Sequence, residues 1–189
     1  MPGALVPNLS PEAAARLKRV RLLLLDVDGV LTDGGLYYGN SGEEMKRFDV
    51  KDGAGMWVAH RSGLEVGLLT GKTSRIVAQR AQELGLTRVA QGAVDKVPGL
   101  EKLLQDGAYP LNEIAFMGDD VLDLPVMRRV GFSACPSDAH DQVKARVHYV
   151  CSKGGGRGAV RDIVDLWFET TGRLPEIMNR FGWEEDPHA

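Results

Sequence analysis

The stretch Val20–Gly34, VRLLLLDVDGVLTDG, decides how the chain is expected to fold. Its apolar run, Leu22–Leu25, is too short to span a membrane but suits a strand buried on both faces of a parallel sheet. Asp26 and Asp28 follow at the carboxyl end of that strand, where open α/β sheets bind ligands. Side chains two residues apart in an extended segment point the same way, so the two carboxylates are expected to converge. Taken alone, this pattern is equally consistent with a solvated Asp-Gly turn.

Composition limits the classes of protein to which the chain can belong. It has 189 residues and a net charge of −3, with both charge signs interspersed. This length suits one domain with a sizeable core, and the mild charge gives no reason to expect nucleic acid or an anionic membrane as a partner. Cys135 and Cys151 have no metal-binding spacing and are expected to be reduced thiols of a cytoplasmic protein. The first residues lack the basic region of a secretory signal.

Strands and helices are predicted to alternate along most of the chain. Apolar runs at Leu64–Leu69 and Ile114–Met117 resemble the leucine run, and a helix is predicted over 74–84. Shorter strands are predicted at 88–92, 132–135 and 148–151. Such alternation is typical of α/β proteins. We therefore expect residues 1–189 to form one α/β domain, with a Rossmann-like parallel sheet flanked by helices.

Polar side chains follow the second and third of the best-defined strands. Thr70-Gly71-Lys72 comes directly after one strand, and Gly118-Asp119-Asp120 comes after the other, with Asp123 close behind. Each pattern alone is common in ordinary loops and helix starts. The carboxyl ends of parallel strands lie at one edge of a sheet, so these groups are expected to meet the Asp26 and Asp28 carboxylates.

This combination of side chains predicts a magnesium site that also accepts a phosphate group. Mg²⁺ prefers a few carboxylate oxygens and keeps room for waters and substrate phosphates. The Thr70 hydroxyl, the Gly71 amide and the following helix start would form a cradle for an anion. Lys96, at the start of another predicted helix, would neutralise the remaining phosphoryl oxygens.

Several segments around this core have a less specific pattern. Turn residues Gly39–Gly42 lie between apolar segments, which predicts a β-hairpin flap over 36–50. Lys51 and Asp52 are expected in a solvated turn before a helix over 54–61, and residues 175–189 are expected to form a C-terminal tail. The glycine-rich segment Lys153–Gly158 is either a flexible linker or a loop whose Arg157 reaches a substrate anion.

In order along the chain, the motifs resemble those of haloacid dehalogenase-type phosphatases. The matching residues are Asp26-Val27-Asp28-Gly29-Val30, Leu69-Thr70-Gly71, Lys96 and Gly118-Asp119-Asp120 with Asp123. The resemblance covers nearly the whole chain and points to the branch without a large cap domain. Within that branch, GNSGEEMKRFDVKDG and GGGRGAVRD are similar to segments of the 3-deoxy-D-manno-octulosonate 8-phosphate phosphatase family.

The resemblance implies a covalent phosphoryl transfer with a role for each motif. Asp26 would be the nucleophile and Asp28 the general acid and base. Magnesium would bind Asp26, Asp119 and the backbone carbonyl of Asp28, while Thr70 and Lys96 would hold the phosphoryl group. Further expected roles are the orientation of the metal ligands by Asp120 and Asp123 and the binding of substrate by Gly71, Lys72, Lys51 and Arg157.

The resemblance also implies the setting in which the enzyme works. The family is a cytoplasmic, magnesium-dependent homotetramer that releases free octulosonate for lipopolysaccharide synthesis. A related nonulosonate 9-phosphate or another sugar phosphate is the nearest alternative substrate. A signalling receiver domain, a phosphomutase and a non-catalytic oligomerisation subunit are rival classes, but the motif order, the absence of a second phosphate site and the intact motif set count against them.

Overall fold

The structure, a computed structural model, describes residues 9–40, 44–180 and 182. Its strands are β1 (Leu22–Leu25), β2 (Tyr37–Tyr38), β3 (Glu44–Met45), β4 (Glu65–Leu69), β5 (Arg88–Ala90), β6 (Ile114–Met117), β7 (Phe132–Cys135) and β8 (Tyr149–Val150). Its α-helices are α1 (Pro11–Leu17), α2 (Val50–Arg61), α3 (Arg75–Glu83), α4 (Lys96–Leu103), α5 (Leu124–Met127), α6 (Asp141–Lys144), α7 (Ala159–Thr171) and α8 (Leu174–Arg180). Short 3-10 helices cover Leu111–Glu113 and Val121–Asp123. None of the helices described combines the length and apolar character needed to cross a bilayer.

Strand β1 lies in the middle of a six-stranded parallel sheet of order β5-β4-β1-β6-β7-β8. It pairs with β4 on one side and β6 on the other, so that Leu25 lies beside both Leu68 and Met117. All four leucines of β1 are buried. The predicted parallel α/β sheet is therefore confirmed, and the strands after which the polar motifs come are adjacent.

Side chains that alternate along β1 contribute to two different cores. Leu23 and Leu25 belong to a cluster that also contains Met56 of α2 and Ile163 of α7. Leu22 and Leu24 belong to a second cluster, together with Leu100, Phe116, Val126 and Val143. Each fully buried leucine contributes about 1.5–3 kcal/mol by leaving water, so the short run strongly favours this central position.

Helix α2 begins earlier than the sequence pattern predicts. The prediction of a turn at Lys51-Asp52 is wrong, because the Asp49 side chain accepts a hydrogen bond from the Lys51 amide and starts the helix at Val50. Lys51 is exposed in the first turn, whereas Asp52 is buried. Gly53 and Gly55 of this helix lie where side chains from α3 and α7 approach the backbone.

Asp52 connects α2 to the amino end of α7. Its carboxylate accepts hydrogen bonds from the amides of Gly158 at 3.2 Å and Arg161 at 2.8 Å. Burial raises the pKa of Asp52, and the α7 amides oppose that shift. A side chain from a distant segment thus satisfies helix-terminal amides that would otherwise be buried without partners.

The periphery of the domain contains a short antiparallel strand pair in the segment predicted as a hairpin flap, and the C-terminal segment. Strands β2 and β3 pair antiparallel, with Tyr37 beside Met45, while residues 41–43 of the predicted turn lie outside the described part. The segment predicted as a tail, 175–189, begins inside α8, and Ile177 of that helix is buried. Residues 181 and 183–189 lie outside the described part. Cys135 and Cys151 are both buried and unbridged.

We expect Asp52→Ala to lower the free energy of unfolding by about 1–3 kcal/mol, because it leaves buried amides of α7 without an acceptor. Urea denaturation measures the change. Asp165→Ala is the matched control, since Asp165 forms a half-exposed ion pair with Arg161 on the same helix and such pairs contribute at most about 1 kcal/mol. Equal losses in the two variants would contradict the capping role of Asp52.

Candidate active site

The carboxyl edge of the three central strands surrounds a cavity of about 450 Å³. Asp26 follows β1, Thr70 follows β4 and Asp119 follows β6 by two residues, so the strand register brings all three together. The cavity is lined by Asp26, Asp28, Gly29, Gly34, Thr70, Gly71, Lys72, Val94, Lys96, Asp119, Asp120, Leu122 and Asp123. The structure therefore brings together the acid, hydroxyl and lysine groups that the sequence predicted to meet.

Lys96 lies between two buried carboxylates. Its ammonium Nζ is 2.8 Å from Asp26 Oδ2 and 2.5 Å from Asp123 Oδ1. Burial alone would lower the pKa of Lys96, but the two carboxylates raise it, so the group stays charged. Burial raises the pKa of Asp26, Lys96 opposes this shift and Asp123 adds to it. Asp26 is thus an acid whose ionised form depends on a fixed cation.

Asp123 orients the loop that follows β6. Its Oδ2 atom accepts hydrogen bonds from the amides of Asp119 at 2.9 Å and Asp120 at 3.1 Å, while its other oxygen contacts Lys96. Asp120 is exposed, and its own carboxylate accepts a hydrogen bond from the Val121 amide. Asp123 therefore holds both the Asp119 backbone and the ammonium group that faces Asp26.

The acidic cluster fits a divalent cation. One carboxylate oxygen from each of Asp26, Asp119 and Asp123 lies within 4.8 Å of the others. The buried Asp26 Oδ1 accepts no hydrogen bond from any residue that the structure describes. Burial, with further contributions from Asp123 and Asp26, raises the pKa of Asp119 to about 7. A hard cation would relieve this repulsion, because carboxylate oxygens are the ligands that Mg²⁺ prefers.

Gly29 allows the first motif loop to approach Asp119. Its φ of 84° lies in the left-handed region. A Cβ atom at this position would overlap the Asp119 carboxylate. The glycine that follows the two acids therefore leaves room for a carboxylate from another strand.

Asp28 contacts two lysines, one of which the sequence did not single out. Lys46 Nζ lies 2.5 Å from Asp28 Oδ1, and Lys72 Nζ lies 3.9 Å from Asp28 Oδ2. The Lys46 side chain is 1% exposed, whereas that of Lys72 is 52% exposed. Lys46 comes just after β3, so neither its sequence spacing nor its local motif connects it with Asp28.

The remaining candidates lie apart from this lining. The described lining of the cavity includes neither Lys51 nor Arg157, and both side chains are exposed. The glycine-rich loop before α7 packs against the loop after β1, with the Gly156 amide donating to the Val30 carbonyl at 2.9 Å. A Cβ atom at Gly155 would overlap the Gly29 carbonyl. This loop is therefore a packed support of the first motif and not a flexible linker.

Three comparisons place the chain among known proteins. Residues 69–161 match the model of the haloacid dehalogenase-like hydrolase family. The 3-deoxy-D-manno-octulosonate 8-phosphate phosphatase of Escherichia coli K12 is 43% identical over 172 residues, which cover 91% of this chain and 92% of the relative. The match to this relative thus extends over nearly the full length of both chains.

Solved structures agree with these sequence matches. The crystal structure of the phosphatase of the same name from Yersinia pestis has a TM-score of 0.85 and 39% identity, covering 87% of this chain and 89% of that one. The corresponding protein from Moraxella catarrhalis, solved with a magnesium ion, a phosphate ion and KDO, has a TM-score of 0.86 and 34% identity. That match covers 90% of this chain and 98% of the other.

We expect Gly29→Ala to weaken Mg²⁺ binding by about 10- to 100-fold, the usual effect of disturbing a group that orients a metal ligand. The physical cause is displacement of the Asp119 carboxylate. Gly85→Ala is the matched control, because Gly85 also has a positive φ, 69°, but has open space around it. Calorimetric titration measures both variants, and unchanged affinity in Gly29→Ala would contradict the steric argument.

Proposed function

The chain belongs to the haloacid dehalogenase-like phosphatases, which are phosphoric monoester hydrolases, and from this premise we propose that it hydrolyses 3-deoxy-D-manno-octulosonate 8-phosphate to free octulosonate and phosphate. The Asp26–Lys96–Asp123 cluster beside Thr70 and Asp119 carries the reaction class. The substrate is proposed from relatives of that name, which match this chain over about nine-tenths of its length. A related nonulosonate 9-phosphate or other sugar phosphate is the alternative.

Asp26 is the proposed nucleophile. Lys96 holds its Oδ2 atom, while Oδ1 accepts no hydrogen bond from the described residues. Attack of the carboxylate on phosphorus would form an aspartyl-phosphate as the bond to the sugar oxygen breaks. The Thr70 hydroxyl and the Lys96 ammonium would bind phosphoryl oxygens as their charge develops. Water would then attack phosphorus, release phosphate and regenerate the carboxylate.

Asp28 is the proposed general acid and base. Its carboxyl group would give a proton to the leaving sugar oxygen and afterwards take one from the attacking water, so the proton balance closes over one turnover. Asp28 lies in the turn that follows β1, two residues after Asp26. Both residues line the one cavity.

The donor set suits Mg²⁺, with Asp26, Asp119 and the backbone carbonyl of Asp28 as its proposed ligands. When bound, the ion supplies positive charge that lets a carboxylate approach an anionic phosphate. Asp123 would orient Asp119 through the backbone amide that it accepts. Asp120, which caps the following 3-10 turn, would help to keep that loop in place.

We expect Asp26→Asn to abolish phosphate release and the covalent phosphoenzyme, because an amide is a poor nucleophile at phosphorus. Chelation should abolish wild-type activity and added Mg²⁺ should restore it. Asp141→Asn is the matched control, since Asp141 is an exposed acid paired with Lys144. Phosphate release and trapping of radiolabelled phosphate measure both. Near wild-type activity in Asp26→Asn, or full activity in excess chelator, would contradict this mechanism.

Substrate selection is proposed to involve cations outside the cavity. Arg157 follows the loop that packs on Val30, which brings its backbone close to the first motif. Lys51 and Arg157 are candidates for binding the substrate carboxylate, either in their own chain or in a neighbouring one. Lys72, half-exposed at the cavity, is the candidate nearest to Asp28.

We expect Arg157→Ala to lower kcat/KM strongly for the octulosonate ester and little for a small generic phosphate ester, because only the former carries the carboxylate. Binding energy from that remote end can contribute to catalysis as well as to affinity. A phosphate-release screen that includes nonulosonate 9-phosphates tests the alternative substrates. Equal losses on both ester classes would place Arg157 outside substrate recognition.

A cytoplasmic homotetramer is the proposed working form. A phosphoryl-transfer site must exclude bulk water, and the hairpin exposes apolar side chains that a neighbouring subunit could cover. Tyr38 is 71% exposed and Met45 is 64% exposed, with Leu36 and Tyr37 beside them. Closed symmetric assemblies are the usual way to cover such a surface. Sedimentation of the active enzyme as a monomer would contradict it.

A further inference from the structure

The contact between Lys46 and Asp28 differs from the surface ion pairs of this chain. The Lys46 side chain is 1% exposed, and its ammonium lies 2.5 Å from Asp28 Oδ1. By contrast, the side chains of the Arg16–Glu12 pair are 37% and 79% exposed. Exposed pairs contribute little, but a buried ammonium group needs a partner because its desolvation is costly. Asp28 therefore supplies a charged partner that helps to offset the burial of Lys46.

Lys46 borders a hollow beside α3. The hollow is also lined by Phe48, by Ile76 and Gln79 of α3, and by Arg80. The aliphatic stem of a lysine can lie along apolar surface while its charged end reaches a partner. The Lys46 side chain thus reaches Asp28 from beside α3, with only 1% of its surface exposed.

The backbone on the carboxyl side of Lys46 is also anchored. Arg47 donates a hydrogen bond to the Gly156 carbonyl at 2.9 Å and lies 3.9 Å from Asp33 Oδ2. These contacts join the residue after Lys46 to the glycine-rich loop and to the loop that follows β1. Lys46 therefore approaches Asp28 from a segment that is held independently of the ion pair.

We propose that Lys46 is a positioning residue for the general acid and base, an inference that rests on the proposed role of Asp28. Its ammonium group occupies Asp28 Oδ1 and so leaves Oδ2 as the oxygen that exchanges a proton with the leaving sugar oxygen or with water. The ammonium belongs to a segment that is anchored outside the first motif. The contact therefore also restricts rotation of the Asp28 side chain. A general acid must lie within hydrogen-bond reach of the oxygen that it protonates.

The role of Lys46 can be tested by comparing the rates for two esters whose leaving groups differ in basicity. A purely structural role would lower both rates equally and leave their ratio unchanged. A sugar alkoxide is a strong base and needs a proton as the bond to phosphorus breaks. A nitrophenolate is a stable anion at neutral pH and leaves without one. Loss of the correct Asp28 orientation should therefore slow phosphoryl transfer from a sugar phosphate much more than from p-nitrophenyl phosphate. The comparison is made in kcat/KM, which reports this step, because Asp28 also acts as base in the later hydrolysis of a phosphoenzyme that both esters share.

We expect Lys46→Met to lower kcat/KM for the octulosonate ester by about 10²-fold, the effect of displacing a reacting group by roughly 1 Å. The loss on p-nitrophenyl phosphate should be smaller by about tenfold or more. Lys46→Arg, which keeps the cation, should restore much of the activity on the sugar ester. Lys144→Met is the matched control, since Lys144 also pairs with an aspartate, at 2.8 Å, but on α6 away from the cavity lining.

Equal losses of Lys46→Met on the two esters, or no loss on the sugar ester, would overturn the inference. Circular dichroism and thermal unfolding identify a variant that does not fold. In that case Lys46→Gln, which keeps an N–H donor without the charge, is measured on the same two esters against the same expectation.

Asp28→Asn separates a failure of this inference from a failure of the proposed function. If Asp28 is the general acid, Asp28→Asn loses kcat/KM mainly on the sugar ester, and adding Lys46→Met to it lowers kcat/KM little further. If Asp28→Asn shows that selectivity and Lys46→Met does not, the role of Lys46 is wrong while that of Asp28 stands. If Asp28→Asn shows no selectivity, the proposed acid and base role of Asp28 is itself wrong.

Discussion

The site depends on one buried ammonium group and the carboxylates that it holds. Lys96 contacts Asp26 and Asp123, and the three side chains are at most 11% exposed. Removing such charges from water costs several kcal/mol per ion, and this cost is offset only when each group is well paired. Asp123 meets that condition, because it accepts two backbone amides in addition to the lysine. The ion contacts therefore join the end of β1, the start of α4 and the loop after β6.

The carboxylates of this site outnumber the ammonium group that they face. This imbalance links the stability of the site to its chemistry. Asp26, Asp119 and Asp123 face one ammonium group, and repulsion among them adds to burial in raising the pKa of Asp119 to about 7. Like charges this close destabilise the folded state unless a cation or a shared proton compensates. The carboxylates that destabilise the folded state when no cation is bound are thus the same ones that suit a divalent cation. The rigid sheet around the site holds these mutually repelling carboxylates in position.

Much of this arrangement could be predicted because it follows from local pattern and strand geometry. The leucine run, the polar residues at strand ends and the Ser10 cap of α1 all act over a few residues. Parallel pairing then brings three separate strand ends to one edge without any further information. The sheet, the cavity lining and the meeting of Asp26 with Lys96 were accessible from the sequence for this reason.

The missed features depend on contacts between distant segments. Asp52 resembles a turn residue in sequence, and only the approach of α7 explains its burial inside α2. The loop containing Gly155 resembles a linker, and only its packing on Gly29 shows why a side chain there would not fit. Lys46 is separated from Asp28 by eighteen positions and lies in a family-like segment that gives no sign of a contact with the first motif. Local propensity carries no signal for such pairs, because their partners are set by tertiary packing.

The residues that the sequence predicts and those that it misses have different proposed roles in the reaction. The groups proposed to bind phosphate and metal lie at strand ends or, for Lys96, at the start of α4, and their geometry tolerates little displacement. Groups that orient Asp28 come instead from the segment after β3, where Lys46 contacts the carboxylate and Arg47 contacts the glycine-rich loop. Any shift of that segment would move the ammonium away from Asp28 while leaving Asp26 and Lys96 in place. In the proposed mechanism, the sheet edge and Lys96 bind the phosphoryl group, whereas protonation of a basic leaving group depends on the position of the segment after β3.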